Sequence, residues 1–186
     1  MGASAPKLAT YEDVLRAPKN MVAEIIHGTL RLHPRPRSVH ARSASVLGGE
    51  LHGPFNKGRG GPGGWIILDE PELHLGPHVL VPDLAGWRRD RLPELPDAPA
   101  LTVAPNWVCE VLSASTEAED RGEKVPLYAA QGVAHVWLID PESQVLEVFR
   151  LDGATYRLAA TFIRDAIVRA EPFDAYELHL AELWAR

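Results

Sequence analysis

Asp83 in Val81-Pro82-Asp83, Glu110 closing Asn106-Trp107-Val108-Cys109-Glu110, and Lys124 in Asp120-Arg121-Gly122-Glu123-Lys124 are the residues of this chain whose types and order point most directly to a chemistry. Two carboxylates on apolar, strand-like segments offer hard oxygen ligands for Mg²⁺. A lysine beyond them can orient water or meet charge developing on a phosphate. That is the set metal-dependent phosphodiester hydrolysis needs. Mg²⁺ keeps several waters and takes one or two protein carboxylates, so Asp83 at a bend and Glu110 on a strand suffice once a substrate phosphate joins them. The backbone carbonyl of Val111 is a further candidate ligand. Taken singly, each residue also has a structural reading: a surface lysine, a turn former after proline, a buried partner of an arginine. Glu110 is the most telling, because a carboxylate inside an apolar strand is costly unless a cation or metal compensates it.

The elements that must position these residues read as an alternation of strands and helices. Tyr11 to Arg16 predicts a short helix ended by Pro18. Residues 22–32 predict a hairpin turning at His27-Gly28, with Glu24 on its first arm. From Ser38 to Leu51, His40, Ala44, Leu47 and Leu51 recur at helical spacing, although Gly48-Gly49 weaken the run. The glycine- and proline-rich residues 53–64 predict a surface loop that continues neither regular structure. Strands are expected at 65–68, 72–75 and 79–81, the last leading into Pro82-Asp83, and a proline-rich loop at 88–105. If the strand ending at Asp83 lies beside the strand of Glu110, that loop brings both carboxylates to one end of a sheet.

Trp107 to Leu112 predicts a buried strand, and Ser115/Thr116 with Glu119 signal a helix over part of 117–131. Pro126 predicts a restart near Lys124, and Gly132 a stop. Val133 to Ile139 predicts a strand, 144–161 a hairpin around Asp152-Gly153, and 180–184 a closing helix. The fold class is therefore α/β (α+β), a mixed β-sheet flanked by helices. One domain is expected over 11–186, after a disordered N-terminus at 1–10.

Bulk composition sets limits. At 186 residues, 46% hydrophobic and 24% charged, the chain has globular proportions. Its single cysteine, Cys109, lies in an apolar run and reads as a small buried hydrophobe in a reducing compartment. No segment approaches a membrane span and the N-terminus lacks a signal-peptide layout, so a cytoplasmic location with no membrane partner is expected. The net charge of −6 argues against a nonspecific nucleic-acid coat protein. The clusters Arg31/Arg35/Arg37/Arg42 and Arg88/Arg89/Arg91 read as solvated faces with the capacity to touch a phosphate backbone.

Other signals carry less. His74 and His78 are separated by Gly76-Pro77, which excludes the helix that would align them on zinc. His40 reads as a partly buried packing histidine. Ser113 and Ser115 sit in no nucleophile turn, and no Gly-Lys-Ser/Thr follows the glycines at 58–64.

Several stretches in order resemble a known family. They are Glu24-x-x-His27-Gly28, Val81-Pro82-Asp83-Leu84, Glu110-Val111-Leu112-Ser113-x-Ser115-Thr116, Asp120-x-x-Glu123-Lys124-x-x-x-Tyr128, and Gly132-Val133-x-x-Val136-Trp137-Leu138-Ile139-Asp140-Pro141. Together they look like the Uma-two family, a broad bacterial group of restriction-endonuclease-like proteins within the PD-(D/E)xK superfamily, over roughly residues 11–180. The resemblance implies a restriction-endonuclease-like fold and cleavage of nucleic acid, DNA above all, with Mg²⁺ as cofactor and Mn²⁺ as a substitute. It assigns Asp83 and Glu110 to the metal, Lys124 to the lysine role, and Glu24 to an accessory acid. The superfamily's lysine two residues after the glutamate is replaced by Leu112, so Lys124 must act from the helix, where Asp120 pairs with it. A homodimer would suit cutting both strands. Target choice would then fall to the loops at 53–64 and 88–105. The competing readings are a nuclease fold kept as an inactive, dimeric binding or scaffold protein, and a metal-free carboxylate-pair glycosidase.

Overall fold

The computed structural model describes residues 8–185, so most of the expected N-terminal tail lies outside the described residues. Residues 8–10 belong to the fold: the Ala9 amide donates to the Gly28 carbonyl at 2.8 Å. Helix α1 (Tyr11–Leu15) precedes the hairpin of β1 (Met21–Ile26) and β2 (Thr29–Pro34). His27 and Gly28 both have positive φ, 49° and 73°, the geometry a two-residue hairpin turn requires. Helix α2 (Ser38–Leu51) follows, then β3 (Trp65–Asp69), β4 (Leu73–Leu75), β5 (His78–Leu80), β6 (Leu84–Arg88) and β7 (Trp107–Val111). The chain closes with α3 (Glu117–Glu119), α4 (Val125–Ala130), β8 (His135–Asp140), β9 (Val145–Asp152), β10 (Thr155–Ile163), β11 (Ile167–Val168), β12 (Leu178–His179) and α5 (Ala181–Trp184).

The centre is a six-stranded mixed sheet in the order β10-β9-β8-β7-β6-β3. All its pairings are antiparallel except β7 with β8, which are joined by the helical crossover the sequence pattern calls for. A second sheet, β2-β1-β5-β4, brings the first hairpin beside the segment that leads to Asp83. The alternation of β7 divides the core. Trp107, Cys109 and Val111 face a layer built with α2 and α5, whereas Val108 faces one built with α4 and the second sheet. In the first layer the Phe173 ring sits 4.7–5.6 Å from those of Phe55, Trp65, Trp107 and Trp137. Gly86 on β6 lets Trp65 and Trp107 lie against the sheet; a Cβ there would stand 3.1 Å from the Trp107 ring.

Three expectations need correction. Residues 53–64 are not wholly loop. The helix of α2 runs on into a π-helical turn at His52–Asn56, which buries Pro54 and Phe55 against the core, because Phe55 is needed there and a wider turn accommodates Pro54. No strand ends at Asp83; it occupies the bend between β5 and β6, and β6 is the strand that pairs with β7, Leu84 opposite Cys109. Nor does the helix break before the restart expected near Lys124. It continues from α3 through a second π-helical turn, Asp120–Lys124, into α4, with Pro126 in the first turn of α4, where its missing N–H costs nothing.

Candidate active site

Lys124 is the hub of a buried charged group. It is 3% exposed, and its Nζ lies 2.9 Å from Glu110 Oε1, 3.2 Å from Glu24 Oε1 and 3.5 Å from Asp120 Oδ1. An ammonium has three protons, and here three carboxylates face them. Asp120 and Lys124, four residues apart across the π turn, share the buried side of the helix, while Arg121 and Gly122 between them are exposed. Asp120 pairs with Lys124 as the sequence suggested, but as a buried partner rather than an exposed one.

Each acid is fixed by a further bond. Glu24 reaches from β1 and its Oε1 accepts the Val81 amide at 2.7 Å. Asp83 Oδ2 accepts the Val111 amide at 2.7 Å, tying the bend before β6 to the end of β7. Glu110 Oε1 accepts the Tyr128 hydroxyl at 2.6 Å, one helical turn beyond Lys124. None of these contacts uses Asp83 Oδ1 or Glu110 Oε2. All four predicted residues, Asp83, Glu110, Lys124 and Glu24, line a single cleft of about 240 Å³, together with Asp120.

The charge balance around Lys124 is unequal: Glu24, Glu110 and Asp120 lie within 3.5 Å of its ammonium, and Asp83 lines the same cleft. Burial pushes the Glu110 carboxyl well above its ordinary range; Lys124 opposes this, and the other acids add to it. Asp120 is raised for the same reasons, burial first. Burial also works against the charge on Lys124, yet Glu110 and Glu24 outweigh it and hold the ammonium protonated. A largely buried cluster with surplus negative charge that lines a cleft fits a divalent cation.

Two residues that line the cleft, His33 and His40, and two beside it, Tyr128 and Glu119, were missed or set aside in the sequence reading. His40, in the first turn of α2, lies with its Nε2 3.3 Å from Asp83 Oδ2. Burial lowers its basicity, but Asp83 more than offsets that. Tyr128 was visible only as a motif member. His33 could have been found, since the His27-Gly28 turn sets a register in which Glu24 faces Arg31 and Val22 faces His33, all on one side of the hairpin. Glu119 required knowing how α3 docks on that hairpin. Arg31, read as part of a solvated cluster, instead pairs with Glu119 at 3.1 Å and with Glu123 at 3.1 Å. The loops at 53–64 and 88–105 contribute nothing to the cleft lining, whose walls come from 33–40, 111–116 and 141–142.

This combination of a mixed sheet with acids and a lysine gathered at one end belongs to nuclease-type folds. The chain is a member of the Uma2 family, described as putative restriction endonuclease, whose sequence profile matches residues 8–181. Among solved structures it is similar to that of a putative nuclease belonging to DUF820 from Anabaena variabilis, at 23% identity and a TM-score of 0.75, covering 95% of this chain and 97% of that one. No curated protein matches the chain. Among the described residues no helix is long and apolar enough to cross a membrane.

Proposed function

We propose that the protein is a Mg²⁺-dependent endonuclease that hydrolyses phosphodiester bonds in DNA. The observation that carries this reading is the placement of one lysine among four carboxylates in a cleft within a nuclease-family fold. Asp83 and Glu110 would hold the metal, with Mn²⁺ as a substitute. A bound dication supplies Lewis-acid activation of water and of the scissile phosphoryl group. Lys124 keeps its proton through its carboxylate neighbours, so its positive charge can orient the attacking water and offset charge as it develops on the phosphate. Glu24 holds Lys124 from the side of β1, and Tyr128 orients Glu110. In the reaction the water oxygen bonds to phosphorus, the bond to the leaving sugar oxygen breaks, and that oxygen takes up a proton.

The walls of the cleft include Arg35 and Arg37, and Arg37 makes no ion pair among the described residues. They would meet the nucleic-acid backbone, and two copies of the chain would cut the two strands. The test is calorimetric titration with Mg²⁺ and Mn²⁺ alongside nicking of supercoiled plasmid, for the unaltered protein, Asp83→Ala and Lys124→Ala. Mg²⁺ binding lost in Asp83→Ala, with nicking lost in both variants, is the expected result. An unaltered protein that binds neither ion would overturn the reading and leave a nuclease fold used for binding alone.

A further inference from the structure

Beside the Lys124 cluster a second set of side chains converges without meeting in hydrogen bonds. His33 Nε2 on β2 lies 2.8 Å from Glu119 Oε1 on α3 and 3.7 Å from Glu24 Oε2 on β1. These three atoms all lie within 4.8 Å of one another, and among the described residues they form the one grouping of three or more ligating side chains. His33 Nε2 and Glu119 Oε1 are closed from solvent, yet neither makes a hydrogen bond of acceptable geometry. Buried polar atoms left in that condition cost about 1–3 kcal/mol each unless something else satisfies them. Their separation is that of an ion pair, but nothing among the described residues completes it with a hydrogen bond.

The far oxygens of both acids are already held by cations. Lys124 pairs with Glu24 Oε1, and Arg31 Nε lies 3.1 Å from Glu119 Oε2 as an ion pair without a hydrogen bond. Each carboxylate is thereby turned so that its remaining oxygen faces His33, the arrangement by which outer partners orient metal ligands. With bonds of about 2.0–2.2 Å, neighbouring ligand atoms around a transition ion stand roughly 3.0–3.5 Å apart. The observed 2.8 and 3.7 Å bracket that spacing.

From this geometry we infer a second metal site, formed by Glu24, His33 and Glu119, for a divalent transition ion. One imidazole nitrogen with two carboxylate oxygens suits Zn²⁺ or Mn²⁺, whereas Mg²⁺ favours the all-oxygen pair of Asp83 and Glu110. Three protein ligands leave an open position, and Glu24 and His33 both line the cleft. The ion would tie β1 and β2 to α3 across one wall of the cleft. The inferred site shares Glu24 with the nuclease reading, but none of its ligands is Asp83 or Glu110, so the two are tested by different variants.

The experiment is calorimetric titration of the full chain with Zn²⁺, for the unaltered protein, His33→Gln, Glu119→Gln and Asp83→Ala, with circular dichroism establishing the fold of each. The expected result is two binding steps in the unaltered protein. His33→Gln and Glu119→Gln should each lose one step while the other persists, and Asp83→Ala should keep the step that those two lose. A shift of the His33 imidazole resonances in ¹⁵N-histidine-labelled protein on Zn²⁺ addition, preserved in Asp83→Ala, would accompany it. Unchanged isotherms in His33→Gln and Glu119→Gln would overturn the inference, as would loss of both steps in either variant. Failure of the Asp83→Ala arm alone to lose a step bears on the nuclease reading instead.

Discussion

Both sides of β7 are closed to water, and they could hardly be built more differently. Toward α2 and α5, Trp107, Cys109 and Val111 meet aromatic rings gathered around Phe173. Toward α4 and the second sheet, Val108 is followed by Glu110, 2% exposed and surrounded by Lys124, Tyr128, Glu24 and Asp120. On the first side burial itself stabilises, at roughly 25 cal/mol per Å² of apolar area. On the second side burial is a cost that ionic partners offset only in part, as the raised Glu110 and Asp120 carboxyls record. A fold that places such a group in its interior has a functional use for it more often than a structural one.

The comparison breaks first at its two centres. Phe173→Ala should destabilise the protein by about 3–5 kcal/mol in urea unfolding, with metal binding unchanged in the folded fraction. Lys124→Ala should cost a similar amount, about 3–5 kcal/mol, because it strands buried acids, and it should also abolish nicking. Equal stability of Lys124→Ala and the unaltered protein would show that the cluster is not under electrostatic tension. A sharper version adds Glu110→Gln to Lys124→Met. It should recover part of that loss while remaining inactive, since one of the three stranded acids is gone and Glu24 and Asp120 remain.

Acidity separates the two sides next. Glu110 and Asp120 have ordinary values of 4.5 and 3.8, raised in the folded chain. Across the window from those values up to the raised ones, the native state therefore holds more protons than the unfolded state. Stability measured with a chelator present should fall as pH rises through that window. Glu110→Gln should flatten the slope by at most about 1.4 kcal/mol per pH unit, and a slope unchanged in that variant would contradict the burial argument. The smallest effect belongs to Tyr128→Phe, which deletes the 2.6 Å bond to Glu110 while leaving Lys124 in place. About 1.5 kcal/mol is expected by thermal unfolding, with metal affinity lowered rather than lost.

How far the sequence discloses this arrangement depends on the range of the forces involved. The first hairpin is legible because His27-Gly28 specifies its own turn, and β7 because five apolar or compensated residues in a row leave no other place for it. The bringing together of Asp83, Glu110, Lys124 and Glu24 follows from ordered motifs, and Glu110 could be suspected on energetic grounds alone. His40 could not, because a histidine on an apolar helix face looks the same whether it meets solvent, core or Asp83. Glu119 meets His33 only through the docking of α3 on a hairpin far away in the chain, which no local pattern encodes. Both π-helical turns were also invisible, since the choice between i+4 and i+5 hydrogen bonding is made by what the side chains gain from packing.

The second of those turns has a consequence for how the lysine is kept in register. In a strand, a lysine two residues from its glutamate is positioned by the pleat, and the chain has no freedom to misplace it. Here Lys124 reaches Glu110 from a helix, where each residue advances the side-chain direction by about 100°. The π turn at Asp120–Lys124 changes the winding between α3 and α4, and a Cβ added at the exposed Gly122 within it would meet no neighbour. The alignment of the ammonium with its acids is thus set by an angle of winding rather than by a count along a strand, so a single-residue insertion or deletion there acts as a dial on the whole cleft.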